Sequence, residues 1–165
     1  MMGINMRFPG SRVFFAFVVA VFLTGGLSGC ETGEEAVNRL IGSAEKGDVE
    51  AMLKIATLYC GGMSIEQDDQ VCAVWMKRAA EGGHKKAQYM MGEMYKQGLG
   101  VRTDLVQSYR WFTLSAELGY QMSGTAVKKL EAVMTPSQLT QARKLIEESK
   151  AAHKATGRYF VADRK

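Results

Sequence analysis

GHKKAQYMMGEMYKQGLGVRTDLVQSYRWFTLSAELG, residues Gly83 to Gly119, falls on itself when it is moved back by 36 residues. Gly83 lands on Gly47, Ala87 on Ala51, Met91 on Ile55, Tyr95 on Tyr59 and Gly98 on Gly62. The match continues with Val101 on Ile65, Asp104 on Asp68, Trp111 on Trp75 and Ala116 on Ala80, and no gap is needed. A constant period of this size is the signature of stacked supersecondary units, each too small to bury its own apolar face.

Each unit divides into two helical halves. Ala87, Met91, Met94 and Tyr95 recur at steps of three and four and make one helical stripe. Gln97-Gly98-Leu99-Gly100 ends that helix, because glycine reaches the positive φ of a helix exit at little cost. Asp104 is placed to cap the second helix, which carries Trp111, Leu114, Ser115 and Leu118 on one side. The small Ala87 and Gly92 let a neighbouring helix come close.

The spacing of alanine, glycine, tyrosine, G-x-G, aspartate and tryptophan resembles the SEL-one-like repeat (SLR) family, relatives of the tetratricopeptide repeats. The second unit follows the pattern almost throughout. The first has Ala56 for the helix glycine, Gly61-Gly62-Met63-Ser64 for the turn, and Cys60 and Cys72 where the second has Lys96 and Ser108. The resemblance implies an all-α fold, an α-solenoid of antiparallel helix pairs that binds other proteins. Two full repeats are expected at 47–82 and 83–118, inside a domain spanning 36–153. A half-repeat over Glu34 to Lys46 caps the N-terminal end, and 119–153 forms the C-terminal cap. In that cap Ser123 takes the alanine position, and Thr135-Pro136-Ser137-Gln138 opens a last helix with the stripe Leu139, Ala142, Leu145 and Ile146. Residues 154–165 are read as a disordered tail.

The chain opens on a different kind of segment. Arg7 and Arg12 precede an unbroken apolar run from Val13 to Leu23, too short to span a bilayer, which takes about 20 residues, and suited to a signal-peptide core. Leu27-Ser28-Gly29-Cys30 resembles a bacterial lipobox, which implies cleavage after residue 29, acylation of Cys30 and a short acidic tether over 30–35. Glu31 after the cysteine favours the outer membrane under that family's sorting rule, with the mature protein facing the periplasm. The processed chain holds 19 basic residues, since Arg7 and Arg12 leave the total of 21, against 17 acidic ones. With no basic stripe interleaved with aromatics, nucleic acid is not an expected partner.

Cys60 and Cys72 remain, flanking one inter-helix loop. In an oxidising compartment such a pair is expected to be bridged; two unpaired thiols are the alternative reading, and a redox or metal site a remote one. His84 and His153 have no second ligand at helical spacing and read as solvated surface, so the sequence calls for no metal and no cofactor. Ser43-Ala44-Glu45-Lys46 spells the S-x-x-K of penicillin-recognising enzymes, but the repeat alignment makes it an ordinary helix end, and no S-D-N or K-T-G follows.

The related tetratricopeptide arrays hold ligands on first-helix positions that alternate with the buried stripe. Here these are Glu50, Leu53, Thr57 and Cys60 in repeat one, Lys86, Tyr89, Glu93 and Lys96 in repeat two, and Met122, Thr125 and Lys129 in the partial third. The expected function is a lipid-anchored, non-catalytic adaptor for another protein of the cell envelope. An immunity protein against a secreted periplasmic toxin, such as a phospholipase, is the alternative, and a penicillin-recognising hydrolase a distant third.

Overall fold

The computed structural model describes residues 32–62 and 64–159. The signal-like segment, Cys30 with its expected lipidation, and residues 160–165 lie outside the described residues.

Among the described residues seven helices follow in order: α1 Gly33–Glu45, α2 Val49–Gly61, α3 Asp69–Glu81, α4 Lys85–Gln97, α5 Leu105–Glu117, α6 Gln121–Glu131 and α7 Pro136–Thr156. The starts of α1, α3 and α5 are 36 residues apart, and so are those of α2, α4 and α6. The sequence period is therefore the period of the backbone. Asp48, Asp68 and Asp104 each accept two backbone N–H bonds at a helix start. Gly62 and Gly98 close α2 and α4 in the left-handed conformation, where a side chain would be strained.

Each helix from α1 to α6 packs against its neighbours in the chain, as in a solenoid. The core runs along these contacts through Ile55, Met76, Met91, Trp111, Phe112 and Leu114, all 0–1% exposed. α5 is covered on several sides, by α4, α6 and α7, which explains why eight of its thirteen residues are buried.

α7 does not complete a third repeat. It makes its main contact with α5 rather than with α6. The Arg110 guanidinium, 4% exposed, donates from Nε to Ser149 Oγ at 2.7 Å and lies 4.2 Å over the Trp111 ring. Lys150 adds an ion pair to Glu117 at 2.6 Å.

Three expectations at the ends need correction. The tether over 30–35 is already helical from Gly33, because Thr32 and Glu35 form a reciprocal capping box. The last helix continues past 153 to Thr156. The first residues of the supposed tail are ordered: Tyr159 donates its N–H to the Glu81 carbonyl at 2.8 Å, and Arg158 reaches the Glu81 carboxylate at 3.4 Å.

The histidines are structural. His153 stacks on the Tyr159 ring at 3.9 Å, its Nδ1 buried. His84 takes the place of the aspartate caps: its Nδ1 accepts the Ala87 N–H, and Nε2 lies 3.1 Å from Glu50 on α2. The reading of both as solvated surface is replaced by these contacts.

Candidate functional site

Between α4 and α6 lies an open groove of about 480 Å³, within the range of ligand-binding clefts. Tyr89, Glu93 and Lys96 line it from α4, and Met122, Thr125, Ala126, Lys129 and Leu130 from α6, with Val133 just beyond. α5 supplies the floor through Leu105 and Phe112. The α4 residues are spaced by four and three, and those of α6 by three, one, three and one, so each helix turns one continuous stripe toward the gap.

Tyr89 holds the centre. Its ring packs 5.3 Å from Phe112 and 5.1 Å from Tyr120, both tilted, an arrangement that favours aromatic pairs. Burial and then the neighbouring Glu93 carboxylate push its phenol pKa up, so it stays a neutral hydroxyl at physiological pH. Glu93 is occupied internally: Lys96 Nζ donates to its two oxygens at 2.8 and 2.6 Å, and Gln97 Nε2 at 2.7 Å. The Lys96 ammonium also stands 5.9 Å over the Phe112 ring.

Six of the sequence-derived positions thus meet in one cleft: Tyr89, Glu93, Lys96, Met122, Thr125 and Lys129. Five do not line it, Cys60 among them as one half of a disulfide. Glu50 is engaged by His84, Thr57 donates its hydroxyl back to the carbonyls of its own helix, and Lys86 is exposed elsewhere on α4. Leu53, expected on an open face, is a core residue at 6% exposure. Its short aliphatic side chain packs inward, where the Tyr89 ring at the equivalent position reaches out between Phe112 and Tyr120.

The floor residues Leu105 and Phe112 were missed, as were Ala126, Leu130 and Val133 on the α6 side. One signal was available: Phe112 falls on Met76, and Gly92 falls on Ala56, so the larger ring appears where the facing residue is smallest.

Cys60 and Cys72 are joined as a disulfide, with Cα atoms 5.3 Å apart, in the range that bridging requires. Cys72 is fully buried on α3 and Cys60 ends α2, so the bond ties the helix pair beside its loop. Ser43 and Lys46 form the end of α1, where the Ser43 carbonyl accepts the N–H groups of Lys46 and Asp48 at 3.1 Å each. Neither lines the groove. Among the described residues no group of three His, Cys, Asp or Glu side chains is placed to hold a metal ion.

The Sel1 repeat model matches residues 49–84 and 85–120, two contiguous copies offset by two residues from the frame read off the sequence. Chitin synthase regulatory factor 3 of Schizosaccharomyces pombe is 30% identical over 103 residues, 61% of this chain and 11% of that protein. The alginate biosynthesis protein AlgK of Azotobacter vinelandii is 28% identical over 98 residues, 59% of this chain and 21% of that one. Among solved structures, c5321, a protective antigen of uropathogenic Escherichia coli strains with an SLR fold, superposes with a TM-score of 0.66 at 31% identity, over 78% of this chain and 30% of that one. A Sel1 repeat protein from Oxalobacter formigenes, at 23% identity and a TM-score of 0.56, covers 66% of this chain and 34% of its own, and shows the shared fold alone. The chain therefore spans about a tenth to a third of the length of the proteins it matches. Residues 49–84 and 85–120 are thus two Sel1 repeats in helices of one register, and the fold resembles that of the SLR structures, the architecture of a protein-interaction module.

Proposed function

We propose that this protein is a lipid-anchored adaptor of the bacterial cell envelope, held to the membrane through Cys30 and facing the periplasm, that docks a partner protein in the α4–α6 groove without catalysing a reaction. The observation that carries the reading is the groove itself: aromatic and aliphatic side chains at its centre with charges at its rim, the composition of an interface core. Tyr89 has the half-buried position and aromatic character of an interface anchor. The relatives support the same direction, since two are named as a regulator of chitin synthase and a protein of alginate biosynthesis. The lipobox-like Leu27-Ser28-Gly29-Cys30 supports the anchor.

Site-specific photocrosslinking in intact cells tests the docking. A crosslinker at Thr125, in the groove, is expected to trap a discrete protein adduct that is lost in Tyr89→Ala. One at Val74, which is 59% exposed on α3, is not. Adducts from Val74 but none from Thr125 would move the binding surface away from the groove. Labelled palmitate is expected to enter the wild type and not Cys30→Ala; equal labelling would remove the anchor.

A further inference from the structure

We infer that the segment received by the α4–α6 groove is apolar and carries one carboxylate, which pairs with Lys129. The inference rests on the reading of the groove as the docking site and specifies the chemistry of its occupant.

The charges in the groove decide the sign. Three charged side chains line it: Glu93, Lys96 and Lys129. Glu93 and Lys96 neutralise one another at 2.6 Å, and Gln97 occupies Glu93 further. A cationic residue of a partner would have to break that pair to be received. Lys129 makes no ion pair among the described residues. The cleft thus offers one unspent positive charge beside a low-dielectric floor, where an incoming carboxylate gains more than at open surface.

The apolar part follows from exposure. Met122 is 57% and Val133 67% exposed, and they stand at the two ends of the α6 stripe. Met122 to Glu131 is nine residues of helical rise, roughly 14 Å at 1.5 Å per residue, and Val133 follows two residues on in the turn. About five residues of extended chain, at ~3.3 Å each, would cover both. Lys129 lies one turn before Val133 and two turns after Met122. The carboxylate therefore belongs toward the Val133 end of the segment, about three residues from the side chain that meets Met122. Phe112 on the floor and Leu130 on the α6 wall, both buried, give the central side chain of the segment apolar surroundings.

The test is selection from a phage-displayed library of linear random peptides on the full chain, with affinities of the enriched peptides measured by fluorescence anisotropy. The expected consensus is an apolar cluster with Asp or Glu at fixed spacing. Lys129→Glu is expected to weaken these peptides about tenfold, and replacing the peptide acid by Lys to restore binding to that variant. Lys129 is exposed, so the variant keeps the fold, checked by thermal melting. Peptides that lack an acid, or bind Lys129→Glu as tightly as wild type, but are lost with Thr125→Arg, would overturn the carboxylate while keeping the groove. Peptides indifferent to Thr125→Arg and Tyr89→Ala, or no enrichment at all, would overturn both.

Discussion

The N–H of Gly33, the first residue of α1, donates to the carbonyl of Ser64 at 3.0 Å, and 36 residues on the same two places are taken by Asp69 and Gly100. In both, the loop after a first helix presses on the start of the preceding second helix. A Cβ on Gly33 would run into the Ser64 carbonyl, and one on Gly100 into the Asp69 carbonyl. Each contact needs one glycine, and the two repeats supply it from opposite sides.

Gly33→Ala and Gly100→Ala are therefore expected to destabilise by about 1–3 kcal/mol, Gly100→Ala the more because its φ of +66° also disfavours a side chain. Gly42→Ala, in the middle of α1 with open space around it, is expected to stabilise by about 0.5–1 kcal/mol. Urea unfolding followed by circular dichroism gives all three; equal effects at Gly33 and Gly42 would remove the close-packing argument.

A second pair of facing residues co-varies between the repeats. Gly92 lies so near the Phe112 ring that a Cβ would overlap it, whereas repeat one pairs Ala56 with Met76. Gly92→Ala alone is expected to cost about 1–3 kcal/mol, and Phe112→Met in the same chain to recover much of it, a coupling a double-mutant cycle reads directly. Additive losses would show that the two sites are not in register.

The Cys60–Cys72 bridge closes a short loop, with a sequence separation of 12, so its loss is expected to cost about 2–3 kcal/mol. Cys72 occupies the place of Ser108, whose hydroxyl donates to the Gly92 carbonyl at 2.7 Å. Cys60→Ala combined with Cys72→Ser, able to restore that bond to Ala56, is expected to lose about 1 kcal/mol less than Cys60→Ala with Cys72→Val. Melting with and without reductant checks the bridge: a wild-type melting temperature unmoved by reductant, with both thiols then alkylated, would deny it a stabilising role.

Tyr109 ties α5 to the end of α6 by donating its hydroxyl to Glu131 at 2.8 Å. Burial first, and then the bond to Glu131, push its pKa above the ordinary phenol value of about 10. The neutral form is the one stabilised by folding. Its contribution is complete below pH ~10 and is lost as the pH rises through the higher folded value. Tyr109→Phe is expected to lower stability at neutral pH by about 1 kcal/mol and to flatten the alkaline fall, though not to abolish it, because Tyr89 is shifted the same way. An unchanged alkaline limb in the variant would remove Tyr109 from the pH response.

The 36-residue period, the helix pairs and their caps were legible because they depend on residues close in the chain: an aspartate before a helix, a glycine after it, an apolar stripe between. The same periodicity carried the register into the groove and found Tyr89, Glu93, Lys96, Met122, Thr125 and Lys129. It failed at Leu53, since a register tells which way a position faces and not how far its side chain reaches. Contacts between units were decided by tertiary structure alone. Which partner gives up its Cβ, Gly33 or Gly100, depends on the fit of two surfaces far apart in sequence. The floor of the groove belongs to α5, a helix whose own pattern reads as plain core. α7 has no place in the period, so only packing could lay it along α5, with Arg110 reaching Ser149 and Tyr159 returning to Glu81. Local physics repeats with the sequence; the meeting of surfaces at the end of an array has no period to be read.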